Sequence, residues 1–152
     1  MKLKEFLKRA KITTYASDGK LSVLEDGSKE LIYEEKEFKY RDMYFGFNPF
    51  IGEEIVFKNN KAIWGMNYYG FISSNVVSAK QVYEFLKKAL RKVTDNQPYR
   101  GPGKLKEGEF EYTNNVRGSV DNFTGTEIIY YKGKEVYILN YYGGIIKQKW
   151  LR

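Results

Sequence analysis

The spacing of apolar positions divides the chain into helical and extended stretches. Leu3, Phe6, Leu7 and Ala10 recur at helical spacing, with Lys2, Lys4, Lys8, Arg9 and Lys11 elsewhere, and predict an amphipathic helix over residues 2–11. A second stripe, Val82, Phe85, Leu86, Ala89 and Val93, predicts a helix over 78–93. Ser78 and Gln81 have the spacing of a capping box at its start. Residues 13–16 read as a short extended piece, and Ser17-Asp18-Gly19, Asp26-Gly27 and Asn48-Pro49 as turns or breaks. Strands are predicted at 31–35, 38–45, 51–57, 62–69, 110–117, 127–131, 135–142 and 145–151. Asn59-Asn60, two residues that tolerate positive φ, suit a two-residue hairpin, and Lys132-Gly133 reads as a second hairpin turn.

The two sets of elements repeat in sequence. Asn67-Tyr68-Tyr69-Gly70 recurs as Asn140-Tyr141-Tyr142-Gly143. Glu37, Phe38, Tyr40 and Gly46 match Glu109, Phe110, Tyr112 and Gly118 at one offset. After one inserted residue, Phe50, Gly52, Glu54 and Ile55 match Phe123, Gly125, Glu127 and Ile128. Glu5-Phe6-Leu7-Lys8 in the first helix matches Glu84-Phe85-Leu86-Lys87 in the second. The unit is a helix, a loop and an antiparallel meander, used at about residues 2–72 and 80–146. The expectation is one α+β domain over 1–152, an internal pseudo-twofold duplication with both helices packed on one face of the sheet.

Strand alternation then sorts the hairpins into faces. With Asn59-Asn60 as a simple turn, Glu54 lies opposite Gly65, and Ile55, Phe57, Trp64, Met66 and Tyr68 form the core face. Glu54, Asn67 and Tyr69 fall on the other face, and Glu127, Asn140 and Tyr142 are their counterparts. A carboxylate, an amide and an aromatic ring in each half are what a small ligand, cationic or aromatic, would need. These six residues are the candidate ligand-binding set. The alternative role for them is structural, as solvated carboxylates and cross-strand rings.

Composition narrows the chemistry. The 152 residues contain no Cys and no His, which removes thiolate chemistry, the usual general base and the commonest zinc ligand. No catalytic residue, metal site or cofactor is assigned. The adjacent acids Glu53-Glu54 point to opposite faces of a strand and make no dyad. The net charge of +7 and the 14 Tyr and 10 Phe leave a second reading, a nucleic-acid or protein interaction module with a basic, aromatic-rich surface. No apolar run approaches the roughly 20 residues of a membrane span, so no membrane partner and a cytoplasmic location are expected. The edge strands of an open sheet leave pairing into a homodimer open.

The stretches 62–70 (Ala-Ile-Trp-Gly-Met-Asn-Tyr-Tyr-Gly), Pro98-Tyr99-Arg100-Gly101-Pro102 and Phe123-Thr124-Gly125-Thr126-Glu127 resemble a family known as domain of unknown function 5680. Its members occur alone or behind a helix-turn-helix DNA-binding domain, which implies an effector-binding or sensing role. The first helix here is expected to belong to the repeat instead. The resemblance brings no activity and no catalytic residue. A looser similarity, to duplicated effector-binding domains of the gyrase-inhibitor-like type, implies an acidic residue among aromatics facing a cationic ligand.

Overall fold

A computed structural model describes residues 1–16 and 21–149. The predicted Ser17-Asp18-Gly19 turn lies outside the described residues. Helices α1 (Leu3–Lys11) and α2 (Ala79–Leu90) accompany nine strands: β1 (Ser22–Val23), β2 (Lys29–Glu35), β3 (Phe38–Gly46), β4 (Phe50–Lys58), β5 (Lys61–Ile72), β6 (Lys104–Glu107), β7 (Phe110–Ser119), β8 (Asn122–Tyr131) and β9 (Lys134–Ile145). They form one sheet in the order β1-β2-β3-β4-β5-β9-β8-β7-β6, and every neighbouring pair is antiparallel. The fold is α+β with an antiparallel sheet. The two long strands β5 and β9 meet at its centre, and Tyr68 lies opposite Tyr141.

The local signals act where the sequence places them. Ser78 Oγ accepts the Gln81 N–H at 3.2 Å and starts α2. Asn59 and Asn60 have φ of 48° and 65°, and Lys132 and Gly133 have φ of 50° and 80°, so both hairpins close on left-handed residues. Some expectations fail. Residues Ile12–Ala16 are not extended; they continue α1 as a π-helical turn. The strand predicted at 145–151 does not form at 146–149, where the chain has already left β9, and residues 150–152 lie outside the described residues. The short edge strands β1 and β6 carry too few alternating positions to be read from sequence.

The largest correction concerns the faces. Val56 lies opposite Trp64 and Phe57 opposite Ala62, so Ile63 is an extra residue in β5. The same happens in β9, where Ile129 faces Tyr137 and Tyr130 faces Glu135, with Val136 in excess. Each hairpin therefore contains a β-bulge, and a one-residue shift moves a whole strand to the other face. Glu54 pairs with Met66, not Gly65, and Glu127 pairs with Leu139. The core face holds Phe38, Tyr40, Glu54, Val56, Trp64, Met66 and Tyr68, while Ile55 and Phe57 leave it.

Aromatic packing covers this face. Phe6 of α1 stacks on Phe38 at 4.9 Å, and Phe85 of α2 stacks on Phe110 at 4.9 Å. Trp64 is fully buried against Phe123, and its indole N–H donates to the Val120 carbonyl at 3.1 Å. Burying each large ring contributes about 1.5–3 kcal/mol.

Candidate functional site

The buried face carries charges as well as rings. Asp42 continues the Phe38 and Tyr40 stripe of β3 and lies opposite Glu54 of β4. Both carboxylates are buried, at 1% and 0% exposure. Glu54 forms an ion pair with Lys11 at 2.9 Å. The Lys11 ammonium also donates to the Tyr99 carbonyl. Burial lowers the Lys11 pKa despite the attraction of Glu54.

Asp42 is held differently. The Tyr68 hydroxyl donates to its Oδ1 at 2.6 Å. The Tyr15 hydroxyl, from the π-helical turn, donates to its Oδ2 at 2.6 Å and lies 3.1 Å from Glu54 Oε2. Among the described residues, no Lys or Arg nitrogen lies within 4.0 Å of the Asp42 carboxylate. Burial, then the charge of Glu54, raises its pKa to about 7, against the pull of the two phenols.

Glycine makes the Tyr68 contact possible. Tyr68 on β5 lies across Gly52 of β4 to reach Asp42 on β3. A Cβ at Gly52 would come within 2.3 Å of the ring. Gly125 plays the same part on β8: Tyr141 of β9 lies across it, and a Cβ there would be 2.1 Å from that ring.

The far half of the sheet holds a second cluster. Glu127 receives Arg100 through Nε at 3.1 Å and Nη2 at 2.8 Å. The Tyr112 and Tyr137 hydroxyls also donate to it, the latter at 2.8 Å. Asn114 lies opposite Glu127 as Asp42 lies opposite Glu54. Asn114 Oδ1 accepts the Tyr141 hydroxyl at 2.7 Å, and its amide donates to the Gly101 carbonyl at 3.0 Å. Every group here has a partner, and the formal charges of Arg100 and Glu127 cancel.

A cavity of about 460 Å³ opens beside Asp42. Its polar end is Asp42 with Tyr15, Tyr68 and Arg100, and Leu31, Tyr44, Phe47, Phe50, Tyr83 and Leu86 form its walls. The Tyr83 ring meets Phe47 edge-on at 5.0 Å and its hydroxyl donates to the Phe47 carbonyl at 2.6 Å. Burial pushes its pKa up to about 12.

The six predicted site residues do not come together. Glu54 and Glu127 lie inside the two buried clusters. Asn67, Tyr69, Asn140 and Tyr142 line a groove of about 540 Å³ on the opposite face, with Tyr69 48% and Tyr142 59% exposed. The bulges separate the two sets. Asp42, Lys11 and Tyr15 were absent from the sequence-based set. The signal for Asp42 was present, since it follows Phe38 and Tyr40 at strand spacing and stands where the second meander has Asn114. Lys11 is the last residue of α1, where the sequence pattern set it apart from the apolar stripe, and Tyr15 belongs to the π-helical turn, which carries no sequence signature. Among the described residues, no group of three or more acidic side chains could hold a metal ion, and no helix is long and apolar enough to cross a membrane.

Residues 42–146 match the model of a family described as "Domain of unknown function (DUF5680)", and the chain belongs to that family. It matches no curated protein and no solved structure.

Proposed function

Membership of that family supplies no activity, and we propose that the chain is a small-molecule binding or sensing module whose site is the cavity beside Asp42. One observation carries this reading. An aromatic-walled cavity of about 460 Å³ ends on a buried carboxylate, two phenols and the Arg100 guanidinium. That is within the size range of ordinary ligand pockets and has their mixture of apolar walls and few convergent polar groups. The site differs from the sequence-based set, because the acid and the rings that face it lie on the covered side of the sheet.

A duplicated origin accounts for the layout. In this reading, units at about 2–72 and 80–146 each contribute a helix to one face and a meander to the sheet. The paired glycines Gly52 and Gly125, each beneath a tyrosine that reaches two strands away, support it. The two halves have then diverged at Asp42 and Asn114, and the cavity lies at the half that kept the acid.

The groove on the open face supports a second reading, an interaction surface for nucleic acid or protein, through its exposed Tyr69 and Tyr142. Among the described residues, the charged one lining that groove is Glu53, which repels phosphate, so the cavity is preferred. A thermal-shift screen against a metabolite library tests the preference. A ligand that binds the folded state raises the melting temperature. Hits that disappear in Leu86→Trp, which fills the cavity, support the proposal; hits unaffected by Leu86→Trp but lost in Tyr69→Ala would move the site to the groove.

A further inference from the structure

We propose that the cavity takes an organic cation, an ammonium or amidinium on a flat apolar body, with its charged end at Asp42. This rests on the reading of the cavity as a binding site and adds the class of ligand.

The charge balance of the buried face motivates it. Among the described residues, three carboxylates are buried there: Asp42, Glu54 and Glu127. Two buried cations accompany them, Lys11 with Glu54 at 2.9 Å and Arg100 with Glu127 at 2.8 Å. Among the described residues, Asp42 is left with phenol donors alone. Each of its oxygens accepts one hydroxyl, so lone pairs remain for a further donor. Asp42 is also the carboxylate of the three that lines the cavity. A buried carboxylate without a counter-charge is costly, and a ligand that brings the missing cation converts that cost into affinity.

The walls fit the same ligand. Tyr68 and Tyr15 each present a ring to the Arg100 guanidinium, at 5.7 and 5.9 Å, so the polar end already accommodates one planar cation among rings. Tyr44, Phe47, Phe50 and Tyr83 extend the aromatic lining along the body of the cavity. An anionic ligand has less to meet. Of the cations that line the cavity, Arg100 is committed to Glu127 through two nitrogens, Lys29 lies over the Tyr44 ring at 5.6 Å, and Lys87 is solvent-exposed, so the buried end offers an anion no unpaired cation among the described residues. A bare metal ion is a poor match as well. Asp42 and Glu54 offer two carboxylates, and Glu54 is already paired with Lys11.

The test uses probes of matched shape and different charge: phenethylammonium and benzamidinium, their neutral counterparts phenylpropane and benzamide, and phenylacetate. Affinities come from calorimetry on the full chain at pH 8. The expected result is binding of the cations at least about tenfold tighter than the neutral counterparts, as a charge-assisted contact would give. Asp42→Asn should abolish that preference. The substitution is suited to the site, because Asn114 already accepts a tyrosine hydroxyl at the corresponding place. Leu86→Trp, which leaves Asp42 untouched, should remove binding of the cations too, and it keeps the test alive if Asp42→Asn does not fold. Equal or tighter binding of neutral or anionic probes overturns the charge assignment while leaving the cavity as a site. Cation affinity unchanged in Asp42→Asn overturns it as well. No binding by any probe, together with no hit in the metabolite screen, overturns both.

Discussion

Two buried clusters on one sheet are built from the same parts and end in different states. In the far cluster, Glu127 is held by Arg100, Tyr112 and Tyr137, and its neighbour is the neutral Asn114. In the near cluster, Glu54 is held by Lys11, and its neighbour is Asp42, a second acid. One cluster is neutral, and Arg100 is the member of it that lines the cavity. The other carries an extra negative charge and borders the same cavity. A fully satisfied polar cluster rigidifies a core, whereas a partly compensated one stores free energy that a ligand can release. The difference between the halves is thus a candidate division between a structural site and a functional one.

The comparison breaks most sharply if the far half is given the near half's acid. Asn114→Asp would place a carboxylate beside Glu127, remove the amide donated to Gly101 and supply no cation. The expected loss is on the order of 3–5 kcal/mol at pH 8, shrinking toward pH 4, read from urea denaturation. A loss below about 1 kcal/mol would mean that the far cluster tolerates surplus charge, and the contrast would lose its meaning.

The reverse exchange, Asp42→Asn, should stabilise. The folded pKa of Asp42, about 7, lies above the ordinary 3.8, so its protonated form is favoured by folding. The stability it contributes is fully present below about pH 4 and is lost as pH rises through about 7. At pH 8 the asparagine variant should therefore be more stable than the parent, by roughly 2–4 kcal/mol, and the gap should close below about pH 4. Equal stability at pH 8 would show that Asp42 carries no uncompensated charge.

Much of the fold was legible, and the place where legibility ended is instructive. The stripes of α1 and α2, the Asn59-Asn60 and Lys132-Gly133 turns and the six long central strands follow from local chemistry, and local chemistry is what a single sequence displays. The bulges at Ile63 and Val136 do not. Neither position holds a glycine or proline, and an extra residue in a strand leaves the alternation intact on both sides of it. The error was one residue long, yet it moved Glu54 and Glu127 to the wrong face. Tyr15 was hidden for another reason: its position depends on how the chain leaves α1, and a π-helical turn is chosen by packing over the sheet. The tetrapeptide Asn-Tyr-Tyr-Gly was divided correctly, with Tyr68 and Tyr141 inward and Tyr69 and Tyr142 outward, because its register against the central partner strand lies beyond the bulges.

The two inward tyrosines allow the finest comparison, through the glycines beneath them. Alanine at Gly52 or Gly125 would push a methyl group into the Tyr68 or Tyr141 ring, at 2.3 and 2.1 Å respectively. Overpacking of this kind costs about 1–3 kcal/mol at each position. The displaced rings then lose different hydrogen bonds. Tyr68 lets go of Asp42, which is ionised at pH 8, whereas Tyr141 lets go of neutral Asn114. Bonds to a charged group are worth roughly 1 kcal/mol more than neutral ones, so Gly52→Ala should cost about that much more than Gly125→Ala at pH 8. At pH 5 Asp42 is largely protonated and the excess should disappear. Paired urea titrations of the two variants at both pH values measure it. A constant excess would trace to steric packing alone, while an excess that vanishes on acidification ties the difference between the halves to the single charge on Asp42.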